Sequence, residues 1–546
     1  MSRGRRLAAW LVLMLASGAV HAAEQPLLPV DSSLRTIAIQ HRGRVKPLDS
    51  FARETLRSMT GADRVGRQDP LETVLSIVAE PDRWQTVPLI QVPFRPLREA
   101  LGMDSKTPRI SYQDLVASRK LMRLLPAIMD KEQRNEKLSM FDQEALDVYQ
   151  RFVALSGLLE GDLHLVPTAS PAEPVWGTVG QPGDYPEAIQ ADLQKTWTQL
   201  LDELRDVRSG QRGRIERAAA ALASRLRSVN LSVYPSVWRL QTEVSYNRHA
   251  PFRSARLLYF LAALALMAGL ATGRRTVTHL GQYLFGVALL FHGNGILLRV
   301  TLGGRPPVSN FYETMLWLPL VGVVIALLTE WRLRVRYLSM AAAVLAGIML
   351  TLAEVVPLDS SIAPVVAVLR SNFWLTIHVL TIVASYGALA LAAVLAHIYS
   401  TLFLRRRDHA ALPSLDTALY RVLQVGVVLL AAGIMLGAVW ANASWGRYWG
   451  WDPKETWALI TLLWFLALLH GRLTGWLQGV GMALATVGGF LLLLMTYYGV
   501  SFYLVGLHSY AGGHAKPLPV ALVAYLAAEL AFLAWVACAA FLRKRA

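Results

Sequence analysis

The chain has 546 residues, of which 54% are apolar and only 17% are charged, against roughly 25% charged residues in ordinary soluble domains. Residues 24–250 carry 30 Lys and Arg against 29 Asp and Glu, whereas the rest of the chain carries 24 against 9. The surplus of positive charge therefore lies with the most apolar part of the sequence, as expected for basic residues that flank membrane spans. This distribution excludes a nucleic-acid-binding face, for which Lys and Arg would line a soluble fold. The single cysteine, Cys538, excludes an internal disulfide and a cysteine-ligated zinc site.

The first 23 residues have the pattern of a secretory signal peptide. Three arginines precede the apolar stretch 7–20, and small residues follow it at 22–23. This stretch is short for a membrane span of roughly 20 residues, so an uncleaved N-terminal anchor is the alternative. In both cases residue 24 onward is expected outside the cytoplasm.

Residues 24–250 are predicted to form a mainly helical, soluble, extracytoplasmic domain. Segments 115–134 and 188–226 show apolar residues at three- and four-residue spacing. A loop rich in Pro, Gly and Thr separates them at 166–186. The motif Arg44-Val-Lys-Pro-Leu-Asp-Ser-Phe51 is compact, basic and apolar, and the sequence indicates no role for it.

Residues 251–546 are predicted to form a transmembrane domain of about nine helices, so the fold class is an all-α polytopic membrane protein. Most of the apolar segments approach or exceed the roughly 20 residues that cross a bilayer. Clusters of arginine recur at every second connection, and the positive-inside rule places them in the cytoplasm. The expected spans are 255–273, 279–300, 311–329, 337–356, 373–401, 418–440, 456–471, 478–505 and 517–541.

The segment 440–457 lies between the sixth and seventh spans and contains five tryptophans in 18 residues. Tryptophan collects at bilayer interfaces in any membrane protein, which is one explanation. Asp452-Pro-Lys-Glu455 is also a good helix start, with an acidic N-cap, an early proline and a glutamate three residues later. Neither explains the repeated Trp-Gly pairs, which would suit a large, planar, apolar ligand.

Two histidines are expected near this segment at the outer membrane surface. His378 lies a few residues into the fifth span, about 8 Å below the surface at 1.5 Å per residue, and His508 follows the eighth span. Two imidazoles beside an aromatic surface match a bis-histidine haem site, with nitrogen on both axial positions of the iron. His514, in a Gly-Gly loop, is a rival ligand.

His470 is expected near the cytoplasmic end of the seventh span, roughly 27 Å from Asp452. An ionisable group inside a membrane is costly, and this makes it a candidate functional residue. His292 and His397 are possible partners for it, although His292 could instead bond a neighbouring helix.

The stretch Ile434–Leu459 resembles the "WWD" signature of haem-handling proteins, most closely in its CcsA/ResC form, a component of the System II cytochrome c synthase. Other segments of 280–545 share the resemblance, in a specific order and spacing: Arg305-Pro-Pro-Val-Ser-Asn-Phe-Tyr-Glu313, Phe373-Trp-Leu-Thr-Ile-His-Val379, Leu469-His-Gly-Arg472 and Gly506-Leu-His-Ser-Tyr510.

The resemblance implies a set of site residues. His378 and His508 would be the axial ligands of an outer haem, and His470 would bind a haem that enters from the cytoplasmic side. A second inner ligand would come from His292 or from another subunit, since no ResB-like multi-span module is apparent in this chain. The outer haem would be held by the segment between the sixth and seventh spans, through Trp445, Gly446, Trp449, Trp451 and Asp452.

The resemblance also implies a function in cytochrome c biogenesis. The chain would bind haem b as a transported substrate, move it to the outer face and present it for thioether attachment to the CxxCH motif of apocytochrome c. Whether it is itself an enzyme is left open. Expected partners are apocytochrome c, a ResB-like membrane subunit and a thiol-disulfide reductant, in the bacterial inner membrane with the soluble domain and the WWD loop on the periplasmic side. The alternatives are a haem exporter or chaperone of the CcmC/CcmF type, a membrane oxidoreductase with b-type haem, or a purely structural assembly subunit.

Overall fold

The computed structural model describes residues 28–29, 31–104, 106–134, 136–169, 175–206, 212–356, 358–364, 372–508 and 518–545. The predicted signal segment 1–23 and the rival ligand His514 lie outside these ranges. The described residues are almost entirely helical, with two small two-stranded sheets, which confirms the expected fold class.

The N-terminal part, residues 28–249, packs its helices around a large apolar core, beside which lies a small second cluster. A hairpin at its start pairs β1 (Ala38–His41) with β2 (Arg44–Pro47). Its two turn residues, Arg42 and Gly43, have φ of 51° and 72°, as a tight hairpin turn with two left-handed residues requires. A second sheet pairs β3 (Ile90–Gln91) with β4 (Arg109–Ile110). The helices are α1 (Leu48–Thr60), α2 (Pro70–Ala79), α3 (Pro81–Gln85), α4 (Arg95–Leu101), α5 (Tyr112–Ser118), α6 (Lys120–Gln133), α7 (Met140–Leu159), α8 (Glu187–Arg205), α9 (Arg212–Val229) and α10 (Val237–His249).

The C-terminal part is a helical bundle with a second apolar core. Within the described ranges, nine helical segments are long and apolar enough to cross a membrane, as the sequence predicts. The fifth and eighth each contain a π-helical turn, at Leu375–Val379 and Met495–Gly499. The helices are α11 (Pro251–Thr272), α12 (Arg275–Gly303), α13 (Phe311–Leu333), α14 (Tyr337–Val355), α15 (Asn372–Trp374), α16 (Leu380–Arg405), α17 (Leu412–Trp445), α18 (Pro453–Leu473), α19 (Gly479–Leu494), α20 (Val500–Tyr503) and α21 (Val520–Arg545).

The connections 304–310, 358–364, 446–452 and 504–508 lie at the end of the bundle where α11 begins. The N-terminal part packs on this end, which we call the domain face. Arg44 forms an ion pair with Glu243 of α10 and donates from Nη1 to the carbonyl of Ile362 at 3.0 Å. The unassigned motif 44–51 therefore attaches the first hairpin to α10 and to a connection of the bundle.

A buried ion pair lies directly beneath this attachment. Arg299 of α12 and Glu313 of α13 are 2.9 Å apart, with side chains 1% and 4% exposed. Arg299 also donates to the carbonyls of Ser360 and Ser361, and Glu313 accepts from Ser309. These bonds fix the connections 304–310 and 358–364 to the ends of α12 and α13.

Candidate functional site

A cavity of about 340 Å³ opens at the domain face between α13, α16, α17 and α18. This volume falls in the range of small-molecule sites, about 300–1,000 Å³. Most of the lining is apolar or aromatic, including Phe311, Tyr386, Trp440, Trp445, Trp449 and Tyr497. His378 and His508 both line it, so the fold brings together two histidines that are 130 positions apart in the sequence.

His378 lies in the π-helical turn before α16. Its Nδ1 is 3.0 Å from the carbonyl oxygen of Gly433, and because a carbonyl can only accept, Nδ1 carries the hydrogen. No described residue bonds its Nε2. Gly437 lies against the ring, since an added Cβ would be 2.7 Å from Cε1 of His378. The imidazole is therefore held in one orientation with its second nitrogen available to a ligand.

His508 is held in the same way by a carboxylate. Its Nδ1 lies 3.0 Å from Oδ1 of Asp452, and an ionised carboxylate only accepts, so this Nδ1 is also the protonated nitrogen. Asp452 is the N-cap of α18 in a reciprocal capping box with Glu455, as the sequence predicts. Its Oδ2 accepts from the backbone N–H of Leu507 at 2.7 Å. Asp452 therefore joins the start of α18 to the segment that carries His508.

The electrostatics of Asp452 follow from these contacts. Partial burial raises its pKa, but hydrogen bonds from His508 and from the backbone N–H groups of Lys454 and Leu507 outweigh burial and hold the pKa below its usual value. The carboxylate is therefore ionised at neutral pH. Gly506 lets the backbone approach this closely, because a Cβ there would lie 2.4 Å from Oδ2 of Asp452.

Two indoles lie between the histidines. The ring of His378 is 5.4 Å from that of Trp440, which is 5.7 Å from that of Trp445, which in turn is 5.7 Å from His508. Trp440 is 5% exposed, which is much less than an interfacial belt would require. A continuous aromatic wall therefore connects the two imidazoles.

The connection between α17 and α18 is shorter than its sequence indicates. Helix α17 continues to Trp445 and ends at Gly446, whose φ of 72° is the left-handed geometry of a helix C-terminus. Only 446–452 is non-helical, so Trp440 and Trp445 project from a helix. Trp449 lines the cavity, whereas Trp451 is 70% exposed and packs edge-on against Trp449 at 5.7 Å.

Sequence reasoning missed two further features of the cavity. Tyr497, which stacks on Phe311 at 4.6 Å, shares a hydrogen bond of 2.8 Å with the hydroxyl of Thr314. The sequence feature that could have identified Tyr497 is a polar aromatic side chain within an apolar span. Lys454 also lines the cavity, but at the start of a helix a lysine carries no signal of its own.

The remaining histidines lie elsewhere. His470 is exposed near the end of α18 opposite to Asp452, where its Nδ1 donates to the carbonyl of Leu466 at 2.8 Å. His292 is fully buried, with Nε2 2.9 Å from the carbonyl of Leu316 and Nδ1 3.4 Å from the hydroxyl of Tyr259. The structure does not bring His292 to His470.

His397, the other possible partner of His470, is bonded within the bundle. Its Nε2 lies 2.7 Å from Oε1 of Glu529 on α21, and its Nδ1 lies 2.7 Å from the carbonyl of Ala393. Both of the partners considered for His470, His292 and His397, are therefore bonded to other residues.

The fold and this cavity define a class: a polytopic membrane protein with a histidine- and indole-lined site at one membrane face. Residues 308–508 match the family model described as "Cytochrome C assembly protein". The first and last residues of that range, Val308 and His508, both line the cavity.

Relatives agree with this match. The chain is 32% identical over 293 residues to the cytochrome c biogenesis protein CcsA of Prochlorococcus marinus, covering 47% of this chain and 92% of that protein. It is 35% identical over 240 residues to CcsA of Chlamydomonas reinhardtii, covering 42% and 67%. It is also 33% identical over 503 residues to protein NrfI of Wolinella succinogenes, covering 87% of this chain and 54% of NrfI.

The chain belongs to the CcsA family of cytochrome c biogenesis proteins. The resemblance stated from the WWD signature is thereby confirmed. Because the NrfI match covers 87% of the chain, it extends into the N-terminal part, while the chain spans about half the length of NrfI.

Proposed function

We propose that this chain binds haem b, its transported substrate, in the cavity at the domain face, with His378 and His508 as the two axial ligands. One observation carries the proposal: both imidazoles are anchored through Nδ1, which leaves both Nε2 atoms for iron in one apolar cavity. Ligating histidines commonly donate their other nitrogen to a carbonyl or carboxylate, and these two do so.

The rest of the lining fits a porphyrin. Trp440 and Trp445 present aromatic surface between the two ligands, and Trp449 adds a third indole at the mouth. Gly446 ends α17 and directs the chain across the opening, while Trp451 stands exposed beside it. Within the described residues there is no cluster of three or more metal-ligating side chains, and a bis-histidine haem needs none.

We propose that the haem is then attached to apocytochrome c. Each cysteine thiol of a CxxCH motif adds across one haem vinyl group: a sulfur–carbon bond forms, and the thiol hydrogen goes to the neighbouring vinyl carbon. The histidine of the motif replaces one axial ligand. The cysteines must arrive reduced, and because Cys538 is the only cysteine here, a separate thiol-disulfide reductant supplies that step.

His470 is proposed to bind haem that enters from the cytoplasmic side. Its Nδ1 is bonded within α18 and the side chain faces outward, which favours a second ligand from a ResB-like membrane subunit. His292 is a poorer partner because both of its ring nitrogens are bonded inside the bundle. We expect His470→Ala to lower haem occupancy at the outer site as well, because supply runs through it. Unchanged occupancy would indicate that haem arrives from the outer side.

The proposed location is the bacterial inner membrane, with 1–23 as signal peptide or anchor and with the domain 24–250 and the WWD segment in the periplasm. Arginines at 332, 334, 336 and 405–407 lie at or just beyond the helix ends opposite to the domain face, which supports this orientation. Labelling of single introduced cysteines with a membrane-impermeant reagent in intact cells tests it. Labelling at 446–452 and none at 406–411 is expected, and the reverse would overturn it.

Haem absorbance of the purified protein tests the ligand assignment. The wild type should show a Soret band, and His378→Gly or His508→Gly should lose most of it, with partial recovery on addition of imidazole. His279→Gly is the control, since this exposed histidine bonds Gln282 on its own helix and does not line the cavity. Full haem content in both ligand variants would refute the assignment.

Co-expression with a c-type apocytochrome in a maturation-deficient host tests the attachment step. Covalent haem on the cytochrome, with and without a ResB-like subunit, separates a synthase component from an exporter or chaperone. Haem binding without attachment under both conditions would favour the exporter.

A further inference from the structure

Lys454 places a positive charge in the wall of a mainly apolar cavity. It is the second residue of α18, next to the Asp452 cap, and its side chain runs toward the eighth span. Nζ donates to the hydroxyl of Ser501 at 3.0 Å and to the carbonyl of Tyr497 at 3.3 Å. All three residues line the cavity, so the ammonium group is at its inner surface.

No carboxylate of the described residues lies within ion-pair distance of this ammonium group. Asp452 uses its oxygens for His508, for the N–H of Leu507 and for the backbone N–H of Lys454 itself. Glu455 also lines the cavity, and its Oε2 accepts from the N–H groups of Gly450 and Asp452. Since an ammonium has three N–H donors and two have partners here, one donor is left for an anion in the cavity.

The local structure does not need this charge. The carbonyl of Tyr497, in the π-helical turn, already accepts from the hydroxyl of Ser501 at 2.7 Å. A neutral side chain at 454 would therefore leave no buried carbonyl without a donor. Keeping a half-buried cation in an apolar wall without an anion is unfavourable, and a ligand carboxylate would remove that cost.

We propose that Lys454 binds a carboxylate of the ligand, a haem propionate, and thereby sets which edge of the ring enters the cavity first. This inference rests on the proposed function, because it assumes that the ligand is haem. The two histidines hold the iron but do not distinguish one ring edge from another. The ammonium group of Lys454 distinguishes the edges, because it attracts the propionate edge to the α18 wall and so directs the vinyl edge away from that wall.

Comparison of haem with its dimethyl ester tests this. Esterification removes both propionate charges and leaves the iron, ring and vinyl groups unchanged. Each porphyrin is titrated into purified, detergent-solubilised full-length protein and followed by its Soret band. The wild type should bind haem at least about tenfold more tightly than the ester, because a charge-assisted hydrogen bond is lost. Lys454→Met should bind both equally, at about the ester's wild-type affinity, and Lys454→Arg should keep most of the preference.

Two variants provide controls. Arg447→Met removes an exposed cation from the same connection, outside the cavity lining, and should keep the wild-type preference. Lys454→Gln keeps a hydrogen-bond donor without the charge and should behave as Lys454→Met does, so the result does not depend on one variant folding.

The outcomes separate the two proposals. A wild type that binds neither porphyrin refutes the proposed function and this inference with it. Equal affinity of the wild type for haem and ester refutes only the role of Lys454. An equal loss of affinity for haem and for its ester in Lys454→Met would likewise refute only this role, because it would indicate that Lys454 has a structural role.

Discussion

Asp452 caps α18 and at the same time accepts the Nδ1 hydrogen of His508 at 3.0 Å. One carboxylate thus fixes both a helix start and a candidate haem ligand. The two roles can be separated, because Asn caps a helix about as well as Asp does but carries no charge.

Asp452→Asn should therefore weaken haem binding and keep the cap, at some cost in stability, because its NH2 group cannot accept an N–H as the second carboxylate oxygen does. Outer partners of a ligating histidine typically contribute about 10- to 100-fold in metal affinity, so a loss of that size is expected. Asp452→Ala should lose the cap as well, at a cost of about 0.5–2 kcal/mol in the free energy of unfolding. Soret titration and thermal unfolding in detergent measure the two effects. Equal haem affinity of Asp452→Asn and the wild type would show that the charge does not act through His508.

The same carboxylate predicts a pH dependence of the ligand-free protein. The pKa of Asp452 is lower in the folded state than its usual 3.8, so folding favours the ionised form. Its stabilisation is fully present above the usual value and is lost as the pH falls through the lower folded value. We expect the wild type to lose more thermal stability than Asp452→Asn between about pH 4 and pH 2, and no difference in slope between pH 5 and pH 8. A difference that already develops between pH 7 and pH 5 would contradict the assignment of this effect to Asp452.

Gly437 should be needed for the position of His378. An added Cβ would lie 2.7 Å from Cε1 of the imidazole, so Gly437→Ala must displace the ring and its bond to Gly433. We expect at least about a tenfold loss of haem affinity without unfolding, because alanine favours helix by about 0.5–1 kcal/mol over glycine.

Gly286→Ala is the matched control for this change. It lies within α12, and nothing is within 4 Å of an added Cβ there. It should keep wild-type haem affinity and unfold at the same or a higher temperature. If Gly437→Ala also keeps wild-type affinity, the ring position of His378 is not critical for binding.

The sequence predicts the spans well because crossing a bilayer depends on length and apolar composition alone, both of which can be counted. The sequence predicts that the sixth span ends at residue 440, whereas α17 ends at Trp445. The difference arises because the residues 440–445 fit the end of a helix as well as they fit a loop at the membrane interface. The order of the spans predicts that His378 and His508 lie near the same membrane surface, because successive spans begin at opposite surfaces of the membrane.

The anchors of these histidines could not be predicted. Gly433 is 55 residues from His378 and bonds it through a backbone carbonyl, which any residue would supply. Asp452 was recognisable as a cap from its neighbours, but its bond to His508, 56 residues away, depends on how α18 and α20 pack. Local patterns identify a cap or a span, whereas these contacts arise from the tertiary arrangement.

The motif 44–51 is the clearest case of a role that only the fold reveals, and it gives a further prediction. Arg44 meets Glu243, 199 positions away, and the carbonyl of Ile362, 318 positions away, while Ser50 donates to the second oxygen of Glu243 at 2.7 Å. Arg44→Met would leave the carboxylate of Glu243, which is only 4% exposed, without its cation.

Breaking a buried pair by removing one partner typically costs about 3–5 kcal/mol, so Arg44→Met should lower the unfolding temperature markedly. The double variant Arg44→Met with Glu243→Gln removes both charges of this pair and should recover part of the loss. Arg95→Met, which removes one partner of an exposed pair with Glu99, should change stability by less than about 1 kcal/mol. Thermal unfolding of the three proteins in detergent measures the difference. If Arg44→Met and Arg95→Met unfold at the same temperature, the contact between the N-terminal part and the bundle does not depend on this pair.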